Sequence, residues 1–247
     1  MKRTYLSLIL ILLTSFGYSQ IRIEGYVTPA IGYRHLTSGP LGTDDLIDSL
    51  KNADKPRQNW SGGIKLLVGL DKYTSLQFGV NYKGMSFTRV REDYQFHDTV
   101  HPKIGRIEDL SQAVLSKDAY FYHKYRYISI PVIFQKSFTK TVFNNKMQFY
   151  FAGGLDFDFL LKDDMAVSMP GWSVGGEDRH VISSDYESTK ANVALNLGAR
   201  FEYKLDEHSI FSVQPAFNYP LLLTAKDENV QFRMYQFGVA VGVSYLL

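Results

Sequence analysis

The feature that most constrains this fold is an alternation of apolar and polar residues, with a period of two, along most of the chain after Gln20. Within residues 147–161, Phe157 and other bulky apolar residues share one face, whereas Asp156 and several small residues share the other. This pattern predicts β-strands, because successive side chains of a strand point to opposite faces. Eight strands are predicted, at residues 21–36, 60–70, 73–88, 120–138, 147–161, 191–205, 210–224 and 235–247.

The lengths of these strands and of their connections favour a barrel that spans a membrane. Several strands exceed ten residues, whereas soluble sheets usually have strands of five or six, and about 9–11 residues cross a bilayer at a tilt. Long polar connections at 38–59, 91–119 and 162–190 alternate with short ones such as 71–72 and 206–208. We therefore predict an all-β fold: an eight-stranded antiparallel transmembrane β-barrel with long external loops and short periplasmic turns.

The first residues of the chain predict an export signal. A positive start at Lys2 and Arg3 precedes a short apolar run, and small residues stand before a cleavage site at Gln20. We therefore predict a signal peptide at 1–19 and one outer-membrane β-barrel domain at 20–247. Residues 1–19 contain no acid, so without them the 27 cations of the chain fall to 25, equal to its 25 acids, and nothing favours nucleic-acid binding. The chain has no cysteine, which excludes disulfides and thiol catalysis.

Volume and charge together predict which face of the barrel points inward. An eight-stranded barrel has room inside for little more than its own side chains, and the polar face is rich in Gly, Ala, Ser and Asn. An arginine or lysine that faced lipid near the midplane would cost about 2–4 kcal/mol, whereas inside the barrel it can pair with an acid. We therefore expect Phe149, Phe151, Phe157 and Phe159 to face lipid, and an interior polar network of Arg22, Glu24, Lys65, Lys83, Asp156, Asp158, Arg200, Glu202 and Lys204. Interfacial girdles are expected from Tyr33, Trp60, Tyr73, Tyr203, Tyr219, Tyr235 and Tyr245.

Three short stretches carry a resemblance to a known family. Tyr127, Ile130 and Pro131 are similar to a Tyr-x-x-Ile-Pro strand, and Gly153 and Gly154 close an aromatic-small-Gly-Gly segment that begins at Phe151. Through these residues the chain resembles the outer-membrane β-barrel domain family of Bacteroidota, often called PorT-like after its secretion setting. The resemblance implies a location in the cell outer membrane and a terminal signal read by the barrel-assembly machinery, formed by Gly242, Tyr245 and Leu247.

One residue of the resembling strand also has a direct physical interpretation. Pro131 has no backbone N–H and cannot donate to a strand ladder. In the middle of a strand it therefore predicts a bulge or a locally unpaired site.

No motif in the sequence predicts catalysis, a cofactor or a metal site. Asp156 and Asp158 fall on one strand face about 7 Å apart, where they can join salt bridges with Arg200 and Lys204 or act as an acid/base pair. Nucleophile-elbow, phosphate-loop and dinucleotide motifs do not occur.

We therefore predict a non-enzymatic barrel with a plugged polar interior, which contacts outer-membrane lipid and the barrel-assembly machinery. Its external loops would present a surface to a protein partner. Two alternatives stay open: an outer-leaflet enzyme that modifies lipid, and a soluble exported carrier, similar to a lipocalin, whose apolar face points inward around a ligand.

Overall fold

The computed structural model describes residues 21–94, 100–101, 105–106, 117–138, 146–168, 179–182 and 186–247. The strands are β1 (Ile21–Ser38), β2 (Asp54–Gly69), β3 (Thr74–Tyr94), β4 (Val100–His101), β5 (Gly105–Arg106), β6 (Lys117–Ser137), β7 (Met147–Ser168), β8 (Arg179–Ile182), β9 (Glu187–Ser188), β10 (Ala191–Lys204), β11 (Ser209–Pro220), β12 (Ala225–Lys226) and β13 (Val230–Leu246), and the helix is α1 (Asp44–Ala53). Within these ranges no helix is both long enough and apolar enough to cross a membrane.

Eight of the strands form a closed antiparallel ring, which confirms the predicted fold class. The order is β1, β2, β3, β6, β7, β10, β11 and β13, and β13 pairs with β1 to close the wall. The signal peptide predicted at 1–19 lies outside the described residues and stays a prediction. The predicted boundary of the barrel domain at residue 20 stays a prediction for the same reason.

The registers of the eight ladders fix the shape of the barrel. Paired residues followed once round the ring lead from Ile21 through Val68, Leu76, Phe134, Gly153, Leu197, Phe217 and Phe237 to Ile31. The wall therefore closes with a shift of ten residues along β1, from 21 to 31. With a rise of about 3.3 Å per residue and a strand spacing of about 4.7 Å, this shift gives a tilt of about 41° and a backbone radius of about 8 Å.

The two ends of the barrel differ in their connections. At one end, called the turn end here, β2 leads into β3, β6 into β7 and β10 into β11, and the N–H of Leu247 donates to the carbonyl of Ile21 (2.9 Å). At the other end, called the loop end, β1 leads into β2 and β11 leads into β13, and the strands β3 and β7 end there. The predicted alternation of long and short connections therefore corresponds to the two ends of one barrel.

Aspartates stabilise two of the tight turns. Asp206 accepts hydrogen bonds from the N–H groups of His208 (2.8 Å) and Ser209 (2.7 Å), and these donors lower the pKa of its carboxyl group. Asp71 accepts from the N–H of Tyr73 (2.6 Å), which lowers its pKa for the same reason. Such Asx turns return the chain within a few residues, so that neighbouring strands begin in register.

Several wall strands extend further toward the loop end than the sequence predicted. The second strand begins at Asp54 instead of residue 60, the last begins at Val230 instead of 235, and β7 continues to Ser168. At these levels the outward residues include Lys55, Arg233 and other polar residues. Both faces are then partly polar, and the alternation that marks a strand lower in the wall is lost.

Prolines interrupt single ladders without shifting their register. Pro131 has no partner on β3, although the pairs on either side of it keep one register, and it pairs with Asp156 of β7. Pro215 interrupts the ladder between β10 and β11, and Pro29 the ladder between β1 and β13, in the same way. Of the two outcomes predicted for Pro131, the structure shows the locally unpaired site.

The outer surface carries an apolar belt between two rows of aromatic residues. Phe151, Phe157 and Phe159 point outward and are exposed, as predicted. Tyr245 lies at the lower edge of the belt, and Tyr235 lies at the upper edge, where its ring contacts Tyr33 at a centroid distance of 5.9 Å. These two tyrosines are ten residues apart on β13, which corresponds to about 25 Å along the axis at the rise and tilt given above.

Candidate functional site

The lower part of the barrel interior holds a five-residue ionic cluster, called the turn-side cluster here. Arg200 lies at its centre and donates from Nε to Glu202 Oε1 (2.7 Å) and from Nη1 to Glu24 Oε1 (3.0 Å). Arg22 pairs with Glu202 at 2.8 Å, and Lys65 pairs with Glu24 at 3.0 Å. Glu24, Arg200 and Glu202 are fully buried, so every charge in the cluster depends on its partners.

The strand register explains how these residues meet. Glu24 and Lys65 are direct partners across β1 and β2, and Arg200 and Glu202 lie two residues apart on the inner face of β10. Since β11 and β13 separate β10 from β1 in the wall, the contact between Arg200 and Glu24 crosses the lumen. The cluster therefore ties opposite walls of the barrel together.

A second ionic cluster, called the midbarrel cluster here, lies nearer the loop end. Lys83 of β3 donates to Asp158 Oδ2 (2.7 Å) and to Asn218 Oδ1 (2.7 Å), and its Nζ lies 3.8 Å from Asp156 Oδ2. The amides of Asn218 and Asn196 donate to Asp156 Oδ2 at 2.6 and 3.1 Å. Two acids and one cation give this cluster one negative charge, and the turn-side cluster has three cations and two acids. The interior charges of the two clusters thus balance.

The structure corrects two expectations about the interior network. Lys204 is exposed, because it ends β10 at the turn end, where its N–H donates to the carbonyl of Lys146 (2.8 Å). Asp156 and Asp158 pair with Lys83 instead of Arg200 and Lys204. The strands β3 and β7 lie on either side of β6, where Lys83 is the partner of Tyr127 and Asp158 is the partner of Ser129. The other eight predicted network residues all contribute to one of the two clusters.

A polar cavity of about 70 Å³ lies at the level between the two clusters. Its lining includes Lys65, Lys83, Asp156 and Tyr26. Gln77 also lines it, is fully buried, and has no hydrogen-bond partner among the described residues. A cavity of this size and polarity suits a few water molecules, and it does not suit an apolar ligand.

The loop end of the interior is closed by an aromatic plug built around a buried arginine. The guanidinium of Arg34 lies 4.1 Å from the ring centroid of Phe87 and 4.9 Å from that of Phe232. Its Nε donates to Asp54 Oδ2 (2.5 Å), and Arg89 Nε lies 3.5 Å from the other oxygen of Asp54. The cation is thus held by both an acid and the faces of aromatic rings.

Helix α1 covers this plug from the loop that joins β1 to β2. Thr43 caps the helix by accepting a hydrogen bond from the N–H of Leu46 (3.3 Å). Ile47 and Leu50 are buried against the cluster that contains Phe87 and Phe232. Residues 38–59 were predicted to form a polar connection, and neither the helix nor the plug was predicted. The capping threonine before Asp44 and the apolar spacing within 46–50 were the available signals.

The residues of the family resemblance fall on both faces of the wall. Tyr127 is buried in the plug, Pro131 lines the cavity, and Ile130 points outward. Gly154 faces inward where a Cβ atom would lie 2.1 Å from the carbonyl oxygen of Val132, so only glycine fits, whereas Gly153 has ordinary space.

The three residues of the predicted terminal signal lie at the turn end of β13. Gly242 faces inward, and a Cβ atom there would lie 2.8 Å from Glu24 Oε1. Tyr245 and Leu247 are exposed on the outside. Their recognition by an assembly machinery stays a prediction.

Asp156 and Asp158, the candidate acid/base pair, both lie within 4 Å of the Lys83 ammonium group. In the ranges that the structure describes no group of three or more histidines, aspartates or glutamates is placed to hold a metal ion. His123 is buried and stacks on Phe87 with a centroid distance of 4.5 Å, so it belongs to the plug.

The structure of this chain is similar to solved structures of bacterial outer-membrane proteins. Neisserial surface protein A is 12% identical with a TM-score of 0.41, over 92% of this chain and 97% of that chain. The outer membrane protein OprG from Pseudomonas aeruginosa is 10% identical with a TM-score of 0.42, over 93% and 95%. The outer membrane protease OmpT from Escherichia coli is 11% identical with a TM-score of 0.38, over 93% and 96%.

No family model matches the sequence, and no curated protein is significantly similar to it. The fold class therefore rests on the closed ring of eight strands, and the function is argued from the geometry of this chain alone.

Proposed function

We propose that this protein is an integral β-barrel of the outer membrane that serves as a structural or interaction platform, and is neither an enzyme nor an open pore. The observation that carries the proposal is the inverted polarity of the wall. Arg200, Glu24 and Lys83 are buried inside, whereas Val27, Ile64 and Phe151 are more than half exposed outside. A continuous apolar exterior of this kind is stable in lipid and is a liability in water.

The dimensions of the exterior support a membrane location. The belt between the rows of Tyr245 and Tyr235 is about 25 Å tall, which matches the apolar band of outer-membrane barrels. The alternative of a soluble carrier required the apolar face to line the interior. The interior instead holds two ionic clusters and a small polar cavity, which supports the membrane barrel over this alternative.

The interior supports a platform more than a channel. Contacts across the lumen, such as Arg200 with Glu24 and Lys83 with Asn218, fill the barrel at two levels. The plug around Arg34 and the helix α1 close the loop end. With the lumen filled, the surface left for function is the loop end, where a protein partner would bind. A place in a secretion apparatus of the PorT-like kind is the most specific form of this proposal.

Single cysteines test the location and the orientation, because the natural chain has none. Asp45 on α1 and Glu207 in a tight turn are both exposed, at opposite ends. In a bacterium with an outer membrane, we expect Asp45→Cys to react with an impermeant maleimide in intact cells. Glu207→Cys should react only after the membrane is opened. Recovery of both variants in the fraction released without detergent would overturn the proposal.

Two further measurements separate a platform from a pore. In planar bilayers the reconstituted barrel should show no open-channel conductance, and steady conductance steps would exclude a plugged interior. Cross-linking with mass spectrometry in intact outer membranes should join the loop end to the same partner repeatedly. Cross-links that are confined to lipid and assembly proteins would count against a platform.

A further inference from the structure

A basic patch lies on the outer face of the wall near the loop end. The ligand inferred for it below rests on the membrane location proposed above. The patch consists of Lys124 and Arg126 on β6 and Lys162 on β7, grouped around one acid, Asp164. Lys162 donates to Asp164 Oδ1 at 2.9 Å, and Arg126 contacts the other oxygen of the same carboxylate. Arg126 and Lys162 share this one acid, and with Lys124 the patch has three cations and one acid, an excess of two positive charges.

The strand register places like charges directly opposite each other. Arg126 is the partner of Lys162 across β6 and β7, and Lys124 is the partner of Asp164. Like charges opposite each other destabilise a sheet, and the single carboxylate that Arg126 and Lys162 share neutralises only one of the two. A fourth cation, the guanidinium of Arg57, lies 4.5 Å from the ring centroid of Tyr122, the next residue upward on this face of β6. Among the residues that the structure describes, cations therefore outnumber acids on this part of the wall.

The position of the patch relative to the apolar belt indicates what it meets. On the outward face of β6, Lys136 and Arg126 bracket an apolar run that contains Ile130, Val132 and Phe134, all exposed. Lys136 and Arg126 are ten positions apart, which corresponds to about 25 Å along the barrel axis. Arg126 therefore lies at the polar boundary of the belt at the loop end, where lipid headgroups are located, and Lys136 lies at the opposite boundary.

We propose that this patch binds the phosphate groups of an anionic lipid in the leaflet at the loop end. Arg126 offers a planar fork that suits phosphate, and Lys162 adds a point charge beside it. Phe157 and Phe159 lie lower on the neighbouring outward face of β7, where they contact acyl chains of the same lipid. An anion in solution would gain nothing from these apolar residues, and for this reason the geometry favours a lipid.

Native mass spectrometry of the full barrel in mild detergent tests the proposal, with bisphosphorylated lipid A as the probe. The double variant Arg126→Gln with Lys162→Gln should weaken the apparent Kd at least tenfold, given about fivefold per charge at a membrane surface. Asp164→Asn removes the shared acid and should tighten binding, a gain that damage to the fold cannot produce. Lys136→Gln, on the same strand at the other boundary, is the matched control and should bind as the natural protein does.

Three outcomes overturn the proposal and leave the proposed function standing. The first is equal binding by the double variant in a barrel that still inserts into vesicles, and the second is equal binding of dephosphorylated lipid A. Full competition by inorganic phosphate at the lipid's own concentration would also overturn it, because the site would then recognise a free anion. A barrel that fails to enter vesicles at all would instead contradict the proposed function.

Discussion

Arg200 shows how much of this barrel depends on single buried charges. Its guanidinium contacts both Glu24 and Glu202 inside the turn-side cluster and is fully buried. Arg200→Met would leave two buried acids with only Lys65 and Arg22 as partners. We expect a loss of about 3–5 kcal/mol in the free energy of unfolding, because removing one partner of a buried network leaves charge uncompensated.

The measurement is urea unfolding in lipid vesicles, and the chain offers a control on the same strand. Lys204 is exposed at the end of β10, so Lys204→Met should change the free energy of unfolding by less than about 0.5 kcal/mol. Equal effects of the two substitutions would show that the interior network contributes no more than surface charges do.

Glycines on the two faces of the wall should respond differently to an added methyl group. A Cβ atom at Gly242 would lie 2.8 Å from Glu24 Oε1, whereas at Gly25 nothing lies within 4 Å. We expect Gly242→Ala to destabilise the barrel by about 1–3 kcal/mol, as overpacking does, and Gly25→Ala to be neutral or stabilising. The same unfolding assay checks this, and a neutral Gly242→Ala would mean that the Glu24 side chain can move aside at no cost.

Residues on the inner face were predictable as a set but not as pairs. Alternation assigned Glu24, Asp158 and Arg200 to one face, because a strand has a period of two. Which acid meets which cation depends on the tilt and the shift of ten residues, and neither is encoded in one strand. Lys204 shows the related limit, since alternation does not show where the wall ends.

At the scale of elements, the tight turns are held by aspartate side chains whose charge matters. The N–H groups of His208 and Ser209 donate to Asp206 and lower the pKa of its carboxyl group, so the folded state favours the carboxylate. The contribution of this carboxylate to the stability of the folded state is complete at pH values above the ordinary aspartate pKa. It is lost as the pH falls through the lower pKa that Asp206 has in the folded state. Asp206→Ala should therefore speed unfolding at pH 7 and have no effect in strong acid, as unfolding rates across that range would show. An effect that is independent of pH would contradict the ionic role of this turn.

Helix α1 should behave as a docked lid whose attachment depends on the buried side chains of Ile47 and Leu50. Ile47 is buried on the plug, whereas Leu46 of the same turn is exposed. Ile47→Ala should weaken docking by at least about 2 kcal/mol, which raises the exchange of helix amides with solvent about thirtyfold when opening is local. Leu46→Ala is the control, and the exchange rates of its helix amides should equal those of the natural protein. Equal protection in both variants would show that the helix is held by something other than this apolar contact.

The strands were predictable where one face meets lipid and the other meets a crowded interior. Toward the loop end that contrast disappears, and the predicted start of the second strand at residue 60 missed the segment from Asp54. The plug was missed for a different reason. Arg34, Asp54 and Phe232 are distant in sequence, and only closure of the ring brings them together.

At the scale of the whole molecule, an average over the sequence hides the feature that matters. The mean hydropathy of −0.16 and the 21% of charged residues fit a soluble domain. The structure divides these residues between an apolar exterior, a charged interior and polar connections. The same composition in a soluble fold would place the apolar residues inside, so location is decided by arrangement and not by content.

Arginine substitutions at two depths of one strand test that arrangement directly. Val27 lies on the outward face of β1 midway between Ile21 at the turn end and Tyr33 at the upper aromatic row, and it is more than half exposed. In a bilayer, Val27→Arg should reduce the free energy of unfolding by about 2–4 kcal/mol, and His35→Arg, beyond the aromatic row, by about 0–1 kcal/mol. In water both would be substitutions of exposed residues, with effects within about 0.5 kcal/mol. Lipid and water therefore lead to different expected changes in the free energy of unfolding for Val27→Arg and to similar ones for His35→Arg. A Val27→Arg variant with unchanged free energy of unfolding in vesicles would rule out lipid around this wall.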